Sequence, residues 1–214
     1  MFRSAACLLL LCSTFCRYGD REKIEESILR DAILAELLAD AAGACVKTGN
    51  VVSVRATSSL TQTRCDLLDG SLVSDGSLRW DIAFQRFKIS TASGSSAGAS
   101  GGACRTGITS FDSVGSVSLG ATAPPDCPHF AVDETLSAES GGAQGSSTSS
   151  YSGNPVLQQW YNYNIFGHTL SAKPDVYVIR SSDGARFYKL QMLDYYSAAG
   201  TSGYPKFRFE EIPL

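Results

Sequence analysis

The chain is poor in the side chains that most chemistry uses. Its 214 residues hold two histidines, two methionines and two tryptophans, and charged residues make up 18% of them. Imidazole chemistry therefore has only His129 and His168 to work with. Lys and Arg number 18 against 21 Asp and Glu, for a net charge of −3, and no basic stripe interrupts that balance. A nucleic-acid or polyanionic-lipid partner would call for one. Metalloprotease, phosphate-loop and dinucleotide fingerprints are all missing. One catalytic pattern does occur: Gly94-Ser95-Ser96-Ala97-Gly98 satisfies the G-x-S-x-G of serine hydrolases. That elbow needs a strand before it and a helix after it. Residues 99–102 have no apolar period, so no helix is predicted there, and His168 would be the only base for Ser96. The expectation is a protein that is not an enzyme.

Long apolar runs are also lacking, and the one short run lies at the N-terminus. Arg3 precedes an apolar stretch over residues 5–11, too short to span a bilayer and suited to an export signal. Cys7, Cys12 and Cys16 crowd its end. A lipoprotein signal finishes at a cysteine that becomes acylated, and Ser13-Thr14-Phe15-Cys16 makes Cys16 the predicted lipidation site, with Cys12 as the alternative. Acyl chains would hold the protein on a membrane face without a spanning helix.

The other cysteines, Cys45, Cys65, Cys104 and Cys127, belong to the exported body, where oxidising conditions allow disulfides. Four cysteines permit three pairings. Cys45 with Cys65 and Cys104 with Cys127 would close the shortest loops, but the sequence does not choose. Cys127-Pro128-His129 is the one local cluster with metal-binding character, and no C-x-x-C knuckle supports it.

Residues 21–42 read as an amphipathic helix. Glu22, Glu25 and Glu26 sit at its start, where the helix dipole favours acid. Ile24, Ile28, Leu29, Ile33, Leu34, Leu37 and Leu38 recur at spacings of three and four. Beyond Gly49 the pattern turns to short β-type runs. Val51 to Ala56 is rich in β-branched residues, and residues 80–91 read as one long strand, apolar on both faces and so central in its sheet. The Ser/Gly-biased stretches 90–102 and 137–153 read as loops. Residues 176–191 give a strand, a turn at Ser182-Asp183-Gly184 and a returning strand. In the return, Tyr188, Leu190 and Met192 alternate with Lys189 and Gln191, the pattern of a half-buried strand with one wet face. This predicts an all-β chain with one N-terminal helix: a signal over 1–16, a helix or spacer over 17–48 and a β-domain over 49–214.

Two segments carry a resemblance. Arg79-Trp80-Asp81-Ile82-Ala83-Phe84 with Arg86-Phe87, and Val178-Ile179-Arg180 leading through Asp183-Gly184 to Lys189-Leu190-Gln191, are similar to the HmuY family of bacterial surface haem-binding lipoproteins. Gly101-Gly102-Ala103 adds to the likeness, which spans about residues 79–209. The resemblance implies antiparallel sheets with projecting loops that grip haem b or a related porphyrin. It also implies an outer-membrane or cell-surface location and transfer to a TonB-dependent receptor. Family members hold iron through two side chains, histidines in the best-known case and methionines in some relatives, the second lying shortly before the strand that ends in Val-Arg or Ile-Arg. Here that place falls near residues 162–164, a few residues before His168. The loops that carry the first ligand offer His129.

Haem iron in a carrier takes neutral imidazole, thioether or phenolate donors. His168 and His129 are the candidate iron ligands, with Tyr163 and Tyr161 as further cofactor-binding candidates, while Met192 falls on the inward face of a regular strand. The competing reading is a surface lipoprotein that uses the same fold for adhesion or partner binding and holds no cofactor.

Overall fold

The computed structural model describes residues 43–74, 76–116, 118–119, 126–127, 129–142 and 145–213. The expected signal, with Cys7, Cys12 and Cys16, and the helix expected over 21–42 lie outside the described residues.

The described chain is built on one six-stranded antiparallel sheet. Its strands are β1 (Ala44–Thr48), β2 (Val51–Arg55), β6 (Gly102–Arg105), β13 (Val176–Arg180), β14 (Phe187–Tyr196) and β15 (Ser202–Ile212), in the order β1-β2-β15-β14-β13-β6. A three-stranded sheet runs β3 (Thr63–Cys65), β4 (Ile82–Gln85), β5 (Lys88–Thr91). Three two-stranded pairs are also described: β7 (Ser118–Leu119) with β8 (Asp126–Cys127), β9 (Glu134–Gly142) with β10 (Gly145–Gly153), and β11 (Tyr161–Asn164) with β12 (Thr169–Ala172). The sole described α-helix is the single turn α1 (Gly94–Ala97).

Alternation along the central strands places the core. Tyr188, Leu190 and Met192 of β14 and Phe207 and Phe209 of β15 join Val52, Val54, Ile82, Phe84, Ile89 and Trp160 in the main cluster. Met192 is therefore core, as its alternation predicts. The opposite face of β14 departs from the expected wet surface, because Lys189 and Gln191 are also buried. Phe111 covers that face, with the Lys189 ammonium 4.6 Å and the Arg208 guanidinium 4.4 Å from its ring centre. The Gln191 amide donates to the carbonyls of Thr109 and Pro174 and accepts from Arg208. A long-range lid from residues 108–114 thus satisfies polar side chains that alternation alone assigns to solvent.

Residues 80–91 form a hairpin instead of one strand. Gln85 pairs with Lys88 across a two-residue turn, Arg86-Phe87, and Arg86 takes φ 56°. The turn is invisible in the sequence because neither residue is a turn former. β4 is nevertheless the central strand of its sheet. The stretch 137–153, expected as a loop, belongs to the β9–β10 hairpin, in full register from Gly145 opposite Gly142 to Gly153 opposite Glu134. Backbone ladders need no apolar side chains, so composition hid it.

The disulfides join Cys45 to Cys65 and Cys104 to Cys127. The first ties β1 of the large sheet to β3 of the small one, and the second ties β6 to β8. Gly101 belongs to a tight crossing: a Cβ there would lie 2.6 Å from the Ala92 carbonyl oxygen, so only glycine fits.

Candidate functional site

The β11–β12 hairpin presents the candidate site. Tyr161 lies opposite Ala172 and Tyr163 opposite Leu170, so all four share one face. Tyr161, Leu170 and Ala172 pack against the main cluster, anchoring the hairpin. Tyr163, two residues nearer the tip than Tyr161, is 54% exposed. In the connecting loop the Asn164 side-chain oxygen accepts the backbone N–H groups of Phe166 and Gly167, at 2.9 and 3.1 Å. This Asx-type turn leaves Ile165 66% and Phe166 96% exposed. It delivers His168 with φ 50°, its Nδ1 2.6 Å from the Tyr163 hydroxyl.

That pair opens onto a cleft of about 370 Å³. The β4–β5 turn contributes Arg86 and Phe87, the hairpin contributes Tyr163, His168, Thr169 and Leu170, and the end of β14, the turn after it and the first residue of β15 contribute Tyr195, Tyr196, Gly200 and Ser202. The volume falls in the range of small-molecule sites. Aromatic rings build its wall: Tyr195 and Tyr196 meet edge to face at 5.3 Å, and the Tyr196 hydroxyl accepts the Leu170 N–H at 2.8 Å. Behind them Trp160 stands 6.0 Å from Tyr195 and 5.1 Å from Tyr161, its indole N–H held by the Phe87 carbonyl.

Among the described residues lining this cleft, Arg86 is the only permanently charged one. Its backbone N–H donates to Ala56 and its guanidinium to the Ser202 hydroxyl at 3.2 Å. Burial pushes the Tyr195 and Tyr161 phenols up, so both stay protonated at neutral pH; Arg86 opposes the rise at Tyr195.

The expected site residues are thus only partly gathered. His168 and Tyr163 share the cleft, and Tyr161 stands behind them as a wall. His129 is exposed and does not line the cleft. Its neighbour Phe130 packs on Phe187 and under the Arg180 guanidinium, against a different apolar cluster. Ser96 donates to the Asp133 carboxylate at 2.5 Å and meets the Ser152 hydroxyl at 2.7 Å, so it is enclosed by a carboxylate network and His168 is not its partner. The one helical turn here, Gly94–Ala97, lies inside the motif, and residues 99–102 carry no helix, as expected. Sequence reasoning missed Arg86, Tyr195 and Tyr196 as site residues. Arg86 stood inside a recognised motif, but its outward role needs the unexpected turn.

Another cleft, of about 280 Å³, is lined by Asp66, Arg79, Asp81, Asp183 and Arg186. Its charges are mixed in sign, and the Asp81 carboxylate is already taken by the N–H groups of Leu67 and Ser182.

A family model described as HmuY protein matches residues 46–209. The chain belongs to the HmuY family. Solved structures share the fold: a candidate HmuY-like haem-binding protein of Bacteroides vulgatus ATCC 8482, at 19% identity and TM-score 0.56, covers 74% of this chain and 89% of its own. The apo HmuY analog of Tannerella forsythia, at 21% identity and TM-score 0.56, covers 79% of this chain and 97% of its own. Apo PinO of Porphyromonas gingivitis, at 13% identity and TM-score 0.55, covers 78% and 98%. No curated protein matches the chain. The two HmuY-like segments noted in the sequence meet in space, since Asp81 of the first accepts the Ser182 N–H of the second at 2.7 Å.

Proposed function

We propose that this HmuY-family protein binds haem b, or a related porphyrin, in the cleft under the β11–β12 hairpin and carries it without transforming it. The observation that carries the reading is the Tyr163–His168 pair, 2.6 Å apart at the edge of an aromatic-walled cleft. The family is one of haem-binding proteins, and one structural relative is designated so.

The residues present fit such a group. Porphyrin faces require apolar and aromatic walls, which Phe87, Leu170, Tyr195 and Tyr196 supply. Exposed Ile165 and Phe166 give the hairpin tip an apolar surface to lay over a flat ligand. Bound haem would supply an iron centre that takes imidazole or phenolate donors. For His168 to offer Nε2, its proton must reside on Nδ1 and be donated to the Tyr163 oxygen, so the tyrosine sets the tautomer. Tyr161 holds the hairpin against Trp160 and Phe87. His129, the other expected donor, does not line this cleft, so His168 is the donor that the reading assigns to it.

Placement follows the same reading: a surface lipoprotein exported by the 1–16 signal, acylated at Cys16, and passing its cargo to a TonB-dependent outer-membrane receptor. No described helix is long and apolar enough to cross a membrane.

Titrating protein lacking residues 1–16 with ferric haem tests the proposal. A saturable one-to-one shift of the Soret band is expected, with His168→Ala weakening binding or changing the iron spin state. No saturable shift would overturn it. The same titration with His129→Ala decides whether the exposed imidazole supplies a second bond.

A further inference from the structure

The Tyr195 hydroxyl is a buried polar atom without a hydrogen-bond partner. Its residue is 4% exposed and lines the cleft. Buried polar groups are almost always paired, so an orphaned hydroxyl on a cleft-lining residue points to a partner supplied from outside the chain. The Arg86 guanidinium lies close enough to oppose the burial-driven rise of this phenol, yet completes no hydrogen bond of ordinary geometry with it.

Arg86 itself is held in an unusual way. It takes φ 56° in a two-residue turn, where glycine is the comfortable choice. Strained backbone of this kind concentrates where a side chain must be aimed. Here the aim is into the cleft, with the guanidinium steadied by the Ser202 hydroxyl, whose own proton remains free to be donated. No carboxylate is among the described residues lining the cleft. One guanidinium and two hydroxyl-bearing side chains therefore line a cleft whose described residues supply no carboxylate.

We propose that Arg86, Tyr195 and Ser202 form a carboxylate seat, which takes a propionate of the porphyrin and fixes the way round in which the ligand enters. The inference rests on the porphyrin reading of the same cleft. It adds a selectivity that iron donors cannot give, because a guanidinium fork recognises a carboxylate whether or not a metal is present. The cleft thus discriminates propionate-bearing tetrapyrroles from their esters. Tyr163 and His168 serve the iron, and this corner serves the periphery.

The test uses the full chain and two metal-free ligands, protoporphyrin IX and its dimethyl ester, followed by quenching of tryptophan fluorescence, which Trp160 beside Tyr195 reports. The diacid is expected to bind about 10-fold or more tighter than the ester, the scale of one charge-assisted pair. Arg86→Gly removes the guanidinium while relieving the positive φ, so the fold is retained; it should abolish the preference by weakening the diacid alone. Arg86→Lys should restore part of it, and Tyr195→Phe should reduce it. With ferric haem, Arg86→Gly should lower affinity without moving the Soret maximum. Equal binding of acid and ester, or equal weakening of both by Arg86→Gly, would overturn the seat and leave the haem reading standing. Failure of every porphyrin to bind the wild-type chain would overturn both.

Discussion

Asp81 and Ser182, 101 residues apart in sequence, are joined by a hydrogen bond of 2.7 Å from the Ser182 N–H to the Asp81 carboxylate. The other Asp81 oxygen accepts the Leu67 N–H at 2.9 Å. One buried carboxylate therefore ties the first HmuY-like segment to the turn of the second and to the loop after β3. Asp81→Ala would leave two backbone donors unpaired, each worth about 1–3 kcal/mol. A loss of about 3 kcal/mol in urea unfolding is expected, with the slope unchanged. A loss below about 1 kcal/mol would mean that water replaces the carboxylate.

Both disulfides close loops of moderate length, with sequence separations of 20 and 23. Chain-entropy arguments give about 3 kcal/mol for each. Replacing Cys45 and Cys65 together by Ala should lower stability by about that amount, and the same holds for Cys104 and Cys127. Denaturant midpoints of the two double variants measure it. The first bond joins the two sheets, so its loss should also increase amide exchange in β1, which has β2 as its only strand partner in the large sheet.

How far the sequence could be read depended on the range of the forces involved. Val176 to Ile179 and the return from Phe187 were legible because both strands are apolar and their turn is local. Residues 137–153 were not, since a Ser/Gly ladder shows no side-chain period. Lys189 and Gln191 read as solvent-facing until residues 108–114 are folded over them. His168 and Tyr163 could be nominated from composition, but Arg86 and Tyr195 could not. Their convergence depends on a hairpin turn at Arg86 and on the end of a strand more than 100 residues later.

Phe166 separates function from stability. At 96% exposure it contributes almost nothing to the core. Phe166→Ser should shift the thermal midpoint by no more than the equivalent of about 0.5 kcal/mol. If the hairpin tip covers the porphyrin, losing the ring forfeits about 1.5–3 kcal/mol of apolar burial, which is about 10- to 100-fold in haem affinity. Unchanged affinity would remove the tip from the ligand contact.

Asp133 gives a pH dependence with a definite sign. It is 3% exposed, and its oxygens accept from the Thr91 N–H and hydroxyl and from the hydroxyls of Ser93 and Ser96. Burial nonetheless raises its pKa above the ordinary carboxylate value, the hydrogen bonds only partly offsetting it. Because the folded value lies above the unfolded one, the folded state binds more proton between them, and stability falls as pH rises through that window. The contribution is fully present below the unfolded carboxylate value and is lost as pH climbs past the raised folded value. Asp133→Asn carries no such titration. The wild type should therefore gain on Asp133→Asn as pH is lowered from neutral into the carboxylate range, measured by urea unfolding of both proteins at each pH. If the difference instead shrinks on acidification, the hydroxyl donors stabilise the carboxylate more than burial penalises it, and the sign assigned to Asp133 is wrong.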